Sequence, residues 1–372
     1  MNKNWQYKKL GEVCEILDSK RKPVTKADRI SGIYPYYGAT GIQDYVDKFI
    51  FDGDYLLVGE DGAKWGTNDK TAYQIHGKCW VNNHAHILKI NDNIANISFL
   101  EYYLVWKDLK PFITGAIVQK LTQAALVSIP APVPPLETQS RIVSELDLLQ
   151  SLIDNQQAQL KEYDILAQAI FYDMFGDPVE NEKGWKTAEL NSVCDVRDGT
   201  HDSPSYYEDG YPLITSKNVI DGKISFDDVN YISKEDFDNI SKRSKVDDGD
   251  IIMPMIGTIG KPVIVKKDRE FAIKNVALIK FISISKVINV FIQAIMSSKA
   301  FDDYMRSKNR GGNQKFIALG DIRKLQVQVP PLSLQQSFAA KIESIEKQKA
   351  AISQSIAETQ KLFDYTMDKY FG

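Results

Sequence analysis

The sequence predicts a mixed α/β (α+β) fold in which two similar globular domains are separated and followed by long helices. Three observations support this prediction: the chain repeats itself, each half ends in a long heptad pattern, and short β-branched segments precede each of those patterns. We expect the two helices to pair as an antiparallel coiled coil, because that arrangement gives a duplicated chain a pseudo-twofold axis.

The repeat connects segments that lie 180 to 196 residues apart. The segment from Trp5 to Cys14 recurs from Trp185 to Cys194 with apolar residues in the same places. A period this long indicates duplicated domains, since the units of solenoid proteins are much shorter. We therefore expect a molecule in which two similar domains recognise two similar targets. Later segments shift by 196 residues, namely Gly53-Asp54 to Gly249-Asp250, Pro134-Pro135 to Pro330-Pro331, and Phe175-Gly176 to Phe371-Gly372.

The part of each half that precedes its helix has the pattern of a small sheet with helices. Short apolar runs are separated by Gly, Asp and Asn turns, which is typical of strands. Predicted strands cover 55–58, 85–90, 251–255 and 277–284, and predicted helices cover 97–109 and 287–306. Prolines at 130, 132, 134, 135, 330 and 331 end the globular parts, so we expect domains at 1–135 and 179–331 and long helices at 136–178 and 332–372.

A heptad seam defines each long helix. Its members advance by alternating steps of four and three, and neither Gly nor Pro interrupts the first seam before Gly176. At about 1.5 Å per residue, each helix should be roughly 55 to 60 Å long. The alternative, in which each helix packs only on its own domain, fits long and narrow seams less well. The predicted seam residues are Ile142, Leu146, Leu149, Ile153, Gln156, Leu160, Tyr163, Ala167, Ile170 and Met174, and then Phe338, Ile342, Ile345, Lys349, Ile352, Ile356, Thr359, Phe363, Thr366 and Tyr370.

Composition is that of an ordinary globular protein. The 372 residues are 43% hydrophobic and 26% charged, no apolar run is long enough to span a bilayer, and the N-terminus is polar, so we expect a cytoplasmic protein without a membrane partner. Of the three cysteines, Cys14 and Cys194 are repeat equivalents and are expected in the two cores. His84 and His86 would share one strand face, but without a third ligand we expect no metal site.

The net charge of −3 is unevenly distributed along the chain. Residues 137–175 carry seven acids against two bases, which leaves the rest of the chain slightly positive. Local basic patches are therefore compatible with the composition.

The search for catalytic motifs is negative. Residues 257–262 end like a phosphate-binding loop, but the first glycine is missing and Pro262 replaces the Ser or Thr that would hold magnesium. Both double prolines lie in Val-Pro-Pro-Leu, so they do not form an amino-methyltransferase motif, and 59–64 lacks the spacing of a nuclease core. We expect no catalytic residue and no bound cofactor.

Loops rich in basic, amide and aromatic residues are the main candidate contacts. Arg and Lys neutralise phosphates, and Asn or Gln can form paired hydrogen bonds with a base. The same kind of loop occurs at matching points, with Gln119-Lys120 and Gln314-Lys315 shifted by 195 residues. The candidate DNA-binding residues are Lys20, Arg21, Lys22, Tyr36, Tyr37, Thr40, Lys64, Asn82, Asn83, His84, Gln119, Lys120, Thr122, Thr200, His201, Ser216, Lys217, Asn218, Thr258, Lys261, Lys274, Asn275, Arg306, Lys308, Arg310, Asn313, Gln314 and Lys315.

Several short segments of the chain are similar to the sequences of one known family. The segments 37–42, 51–57 and 59–62 are similar to that family's first domain, and residues 134–139 and 330–335 resemble its junctions between domain and helix. Residues 198–201 and 215–219 are further segments of this kind. No single motif decides the matter, but by their order, the duplication and the lengths the chain resembles, over essentially its whole length, the specificity subunit of a type I DNA restriction-modification system.

The resemblance implies a non-catalytic DNA reader. Each target-recognition domain would contact one half of a split, asymmetric target in double-stranded DNA, and the paired helices would set the unread spacer. It also implies assembly with two methyltransferase (modification) subunits, which bind S-adenosylmethionine and methylate adenine. ATP-dependent, magnesium-requiring restriction (endonuclease/translocase) subunits would complete the complex.

Two other classes stay open at this point. The chain could be the recognition part of a single-chain restriction-methylation enzyme, although it has no methyltransferase motif. It could also be a coiled-coil scaffold that binds protein partners instead of DNA.

Overall fold

The computed structural model describes residues 5–220, 222–255, 262–282, 285–308 and 317–372, and only the backbone of Met305 and Lys308. The chain divides into two compact units. The first unit comprises Met1–Gln157 together with Ser353–Gly372, and the second comprises Ala158–Ile352. Each unit therefore contains one globular module and parts of two long helices.

The first module begins with a strand and a helical turn and ends at a long helix. Its elements are β1 (Tyr7–Lys9), α1 (Leu10–Val13), β2 (Cys14–Ile16), β3 (Ser31–Gly38), β4 (Gly41–Val46), β5 (Phe51–Asp52), β6 (Tyr55–Gly59), β7 (Ala72–Ile75), β8 (Lys78–Val81), β9 (Ala85–Ile90), α2 (Ile97–Trp106), β10 (Ile113–Thr114), β11 (Lys120–Leu121), α3 (Gln123–Ser128) and β12 (Pro130–Pro132), followed by the long helix α4 (Leu136–Phe175).

The second module repeats this order with local additions. Its elements are β13 (Thr187–Glu189), α5 (Leu190–Val193), β14 (Asp195–Asp198), β15 (Tyr211–Ile214), β16 (Val219–Ile220), β17 (Lys223–Ile224), β18 (Asn230–Ile232), α6 (Lys234–Ser244), β19 (Ile251–Pro254), β20 (Val263–Ile264), β21 (Ala272–Ile273), β22 (Val276–Lys280), α7 (Asn289–Ser297), α8 (Lys299–Lys308), α9 (Leu319–Arg323) and β23 (Gln326–Gln328), followed by the long helix α10 (Leu332–Phe371).

The two modules share their sheet topology. An antiparallel sheet of order β2-β9-β6-β7 in the first corresponds to β14-β22-β19-β20 in the second. A further sheet in each contains one parallel pair, β3 with β8 in the first module and β15 with β21 in the second. A short pair closes each module, β1 with β12 and β13 with β23. The duplication in the sequence is thus a duplication of the fold.

The core of the first unit lies between its antiparallel sheet and α2, where Leu56 and Leu88 are fully buried beside Phe99. The end of α10 completes this core, since Met367 and Phe371 belong to it. In the second unit, Phe171 and Phe175 from the end of α4 complete the core in the same way.

The long helices α4 and α10 pack against each other. All predicted seam residues are buried or half-buried, whereas most of their neighbours along the two helices are exposed. In the first unit the beginning of α4 packs against the end of α10, where the Tyr370 hydroxyl donates to Glu145 Oε2 at 2.6 Å. In the second unit the end of α4 packs against the beginning of α10, where Lys349 Nζ lies 2.7 Å from Asp164 Oδ1. The helices therefore run antiparallel.

Each long helix is attached to its module by an equivalent buried glutamine. Gln139 accepts a hydrogen bond from the Asn96 backbone N–H at 2.8 Å and donates to the carbonyls of Ile94 and Pro134. Gln335, 196 residues later, makes the same three bonds. Its partners are the N–H of Ile288 at 3.0 Å and the carbonyls of Lys286 and Pro330.

Several element boundaries differ from the prediction; for example, the central helix expected over 136–178 ends at Phe175. The helix predicted over 287–306 is two helices, because Ser298 adopts an extended conformation and its hydroxyl caps the first turn of α8 by accepting from the Phe301 N–H at 3.1 Å. The strand predicted over 277–284 ends at Lys280. The helix predicted over 97–109 ends at Trp106, after which Lys107 is extended.

Within the described ranges, the helices are too short or too polar to cross a lipid bilayer. Cys14, Cys79 and Cys194 are free thiols. Burial raises the pKa of both Cys14 and Cys194 to about 12. Cys194 belongs to the core of the second unit, whereas Cys14, which was expected in the first core, is half-buried and packs against it.

Candidate nucleic-acid interface

The parallel strand pair brings two loops together at one edge of each module. In the first module the Asn82 N–H, just beyond the end of β8, donates to the carbonyl of Tyr37 near the end of β3 at 3.0 Å. In the second module the Lys274 N–H, just beyond the end of β21, donates to the carbonyl of Ile214, the last residue of β15, at 2.8 Å. Since the carboxyl ends of parallel strands share an edge, the loops that follow them are neighbours in both modules.

The segment after the first strand of each antiparallel sheet reaches the same edge. The Leu17 N–H donates to the Ile87 carbonyl at 2.8 Å, and the Thr200 N–H donates to the Ile273 carbonyl at 3.0 Å. We name these surfaces by their residues. Loop edge 1 comprises residues 18–22, 38–41, 60–64, 82–85 and 115–121, and loop edge 2 comprises residues 198–203, 215–218 and 274–275.

Glu60 connects the loops of loop edge 1. Its buried carboxylate lies 2.5 Å from Arg21 Nη1 and 2.6 Å from Lys120 Nζ. Arg21 also donates to the carbonyl of Ala85 at 2.8 Å. Burial acts to raise the pKa of Glu60, but the hydrogen bonds from Lys120 and Arg21 outweigh it and hold the pKa below its ordinary value. One carboxylate therefore holds loops from three parts of the chain.

Buried His86 holds loop edge 1 from the side of the protein interior. Its side chain is 0% exposed, with Nδ1 2.6 Å from Asp18 Oδ2 and Nε2 2.7 Å from the Leu121 carbonyl. Both ring nitrogens therefore face hydrogen-bond acceptors, one on the segment after β2 and the other on β11. Burial acts to raise the pKa of Asp18, but the hydrogen bond to His86 and the charge of its ring help to lower this pKa below its ordinary value. The hairpin β10–β11 is thereby fixed to the sheet.

Asp18, Glu60 and His86 also form the one group in the described part of the chain with ligand atoms close enough to hold a metal ion, within 4.8 Å of one another. Arg21 and Lys120 already neutralise these carboxylates at hydrogen-bond distance. Since ammonium and guanidinium groups stand where a cation would be bound, we assign no metal to the group.

Asp198 has the corresponding role in loop edge 2. It is buried at the end of β14, pairs with Arg243 of α6, and accepts from His201 Nε2 at 2.9 Å. His201 Nδ1 lies 2.9 Å from Asn275 Oδ1 across the edge. The hydrogen bonds to Asn275 and Asp198 raise the pKa of His201 above its ordinary value. Protonation of this exposed ring therefore favours the closed arrangement, in which His201 of the loop 198–203 is hydrogen-bonded to Asn275 of the loop 274–275.

Most of the predicted contact residues outside the core point to solvent at these two edges. In the first module the exposed ones are Lys20, Lys22, Thr40, Lys64, Asn83, His84 and Gln119, and the half-buried ones are Tyr37, Lys120 and Thr122, whose hydroxyl caps α3. In the second module His201 and Lys217 are exposed, and Thr200, Ser216, Lys274 and Asn275 are half-buried.

Four predicted residues are internal and shape the loops instead. Arg21 is bound to Glu60, and the hydroxyl of buried Tyr36 bonds to the backbone of Val24. Asn82 accepts from the His84 N–H at 2.8 Å, which bends the loop after β8. Asn218 accepts from the Thr215 N–H at 3.0 Å and so closes the turn after β15.

The remaining predicted residues belong to the segments around 258 and 310. Arg306 is exposed on α8 and pairs with Asp302 at 2.6 Å. Of Lys308 only the backbone is described. Thr258, Lys261, Arg310, Asn313, Gln314 and Lys315 lie outside the described residues.

Reasoning from the sequence missed the acids that organise the edges. Glu60, Asp18 and Asp198 were absent from the predicted set, which was selected for bases, amides and aromatics. The available signal was position, since Glu60 directly follows β6 and Asp198 ends β14.

Comparisons with known proteins point to one family. The chain matches the family described as type I restriction modification DNA specificity domain twice, over residues 2–162 and 182–360. It is 28% identical over 381 residues to a protein of Haemophilus influenzae named as a type I restriction enzyme specificity subunit, a match that covers 97% of this chain and 93% of the relative. It is 23% identical to the MjaVIII specificity subunit of Methanocaldococcus jannaschii, covering 92% of this chain and 86% of that one.

Solved structures show the same architecture. A type I restriction-modification S subunit from M. genitalium matches 100% of this chain and 97% of its own, with a TM-score of 0.61 at 12% identity. A structure from work on complex assembly and conformational transition of the type I R-M system matches with a TM-score of 0.57 at 18% identity, covering 100% of this chain and 98% of its own. At such identities the likeness concerns the fold alone.

Proposed function

This chain belongs to the type I restriction modification DNA specificity family, and on that premise we propose that it is the non-catalytic subunit that selects the DNA target of a type I complex. The target is bipartite: residues 1–135 read one half and residues 179–331 read the other. The observation that carries this proposal is the occurrence of a loop edge in each of the two family-matched segments, built on the same strand ends.

The chemistry of the edges supports a DNA ligand. Loop edge 1 exposes Lys20, Lys22 and Lys64, which can neutralise phosphates, beside the amides of Asn83 and Gln119, which can bond to base edges. Loop edge 2 exposes Lys217 and His201. Because the two edges differ in residues while sharing a fold, the two half-sites they read differ in sequence. The target is therefore asymmetric.

Methylation and cleavage belong to partner subunits in this proposal. Two methyltransferase subunits bind S-adenosylmethionine and methylate adenine, and restriction subunits carry out ATP- and magnesium-dependent cleavage. The long helices α4 and α10 offer the partners extended surfaces. Exposed apolar side chains on α4, such as Leu148 and Ile165, are suited to protein contacts.

Methylation-sensitive sequencing of whole genomes tests the proposal. Cells that express the cognate methyltransferase with this chain should carry one methylated bipartite motif, and cells that express the methyltransferase alone should lack it. The same methylated motif in both cell types would show that this chain does not select the target. Absence of any motif, with stable binding of protein partners, would favour a coiled-coil scaffold.

A further inference from the structure

We infer that the tip of the hairpin β10–β11 inserts Ile117 and Val118 into a groove of the DNA as an apolar contact with the bases. This inference rests on the proposed function and deepens it. Ile117 is 98% exposed and Val118 is 67% exposed, although both are large hydrophobic residues. Ile117 has the highest exposure of the large hydrophobic residues in the described part of the chain. Its apolar surface makes little contact with the rest of the protein.

The base of this hairpin is held firmly in loop edge 1. The Leu121 N–H donates to the Glu60 carbonyl at 2.8 Å, and the Leu121 carbonyl bonds to buried His86. Lys120 pairs with the Glu60 carboxylate at 2.6 Å. The tip between Thr114 and Lys120 is therefore presented by a fixed base, at the edge where the candidate DNA contacts converge.

A glycine sets the shape of the tip. Gly115 has φ of +94°, and a Cβ at this position would lie 2.1 Å from the Val118 carbonyl oxygen. Only glycine fits such a close approach at positive φ. The turn folds Val118 back over Gly115, so the two apolar side chains stand beyond the last bonded pair of the hairpin, Thr114 and Lys120.

The surroundings favour DNA over a protein surface as the ligand. Residues 109–136 contain no acid, and Gln119 and Lys120 follow the apolar pair directly. DNA-binding elements combine phosphate-neutralising and amide groups with apolar residues that contact the thymine methyl group or wedge between base pairs. In the second module the repeat-equivalent pair Gln314-Lys315 lies outside the described residues, so the inference concerns the first module.

The test uses the full chain assembled with its methyltransferase subunits and the target DNA identified by methylation sequencing. The variant is Ile117→Ala combined with Val118→Ala, and the matched control is Ile33→Ala, an isoleucine 79% exposed near the start of β3, away from loop edge 1. Fluorescence anisotropy should show roughly tenfold weaker binding of the variant to the target, as expected when a few methyl groups lose their burial. The control should bind like the wild type.

Scrambling one half-site at a time assigns the loss to a module. On DNA whose first-module half-site is scrambled, the wild type and the double variant should bind equally. Unchanged affinity of the variant for the intact target would overturn the inference, as would an equal loss in the control. A variant that fails to assemble with methyltransferase subunits but binds DNA normally would assign the tip to a protein contact, and the inference would be wrong. If the wild-type complex itself prefers no sequence, the proposed function fails instead.

Discussion

Phe371, the penultimate residue of the chain, packs against Phe99 of α2 with ring centroids 5.3 Å apart. Residue 371 thus completes the core of the first module, although 272 residues separate it from Phe99. The second module is completed by the equivalent pair, Phe175 and Phe291, with centroids 4.7 Å apart. Each module is therefore closed by the end of a long helix, and the folding of module and helix is coupled.

Replacing Phe371 by Ala should destabilise the first unit. The side chain is 1% exposed and contacts Phe99, Tyr103 and Trp106, so its loss should cost about 3 to 5 kcal/mol. Hydrogen exchange should show lost protection in α2 and the nearby sheet of the first module. Leu362→Ala on the exposed face of α10 is the control and should have little effect. Equal loss of protection in the second unit would contradict the coupling.

Replacing Gln139 by Leu should detach the start of α4 from its module. The substitution leaves the Asn96 N–H and the carbonyls of Ile94 and Pro134 without their partner, and each unsatisfied buried group costs about 1 to 3 kcal/mol. Denaturant unfolding should show a loss of at least about 2 kcal/mol. Gln335→Leu should reproduce the loss in the second unit, whereas exposed Gln336→Leu should not. Full stability of Gln139→Leu would refute the anchoring role.

Replacing Gln156 by Leu should strengthen the helix pair. Gln156 Nε2 donates to the Ser355 hydroxyl at 2.7 Å, but the buried Oε1 has no hydrogen-bond partner. A polar residue in an apolar seam lowers stability while it specifies register. We expect a higher midpoint of thermal unfolding, with exposed Gln157→Leu as the control. A lower midpoint would mean that the bond to Ser355 outweighs the burial of the amide.

His201 should titrate above its ordinary pKa of about 6.5. Because Asn275 and Asp198 raise its pKa, the contribution of the protonated ring is fully present below the pKa of the unfolded chain and is lost as pH rises through the folded value. An NMR titration of the His201 ring measures this, and Asn275→Ala should lower the value. Ser203→Ala, which removes a hydroxyl bonded to Lys274, should leave it unchanged. A His201 pKa insensitive to Asn275 would contradict the closed loop.

Periodicity predicted the long helices and several strands. The seam from Ile142 to Met174 and the strand Ala85–Ile90 are local patterns, because whether each residue is buried can be inferred from its neighbours along the chain. The break at Ser298 was missed because an apolar pattern continues across it. A serine cap is a weak signal beside that periodicity.

The organisation of the loop edges could not be predicted from local sequence patterns. Glu60, Arg21 and Lys120 come from three distant segments, and their pairing depends on the sheet topology. Tyr36 and Asn82 resemble surface contacts in the sequence, yet the parallel pairing of β3 with β8 turns them inward. The sequence offers candidate loops in both halves of the chain, but the three-dimensional pairing decides which of their side chains face solvent.

Exchange of the second module tests the central claim most directly. Residues 179–331 are replaced by the corresponding segment of a family relative with a different target, and the methylated motif is read by whole-genome methylation-sensitive sequencing. Two modules that read separate half-sites predict a new sequence in one half of the motif and an unchanged sequence in the other. A motif altered in both halves, in a chimera that still methylates, would show that the modules do not read DNA independently.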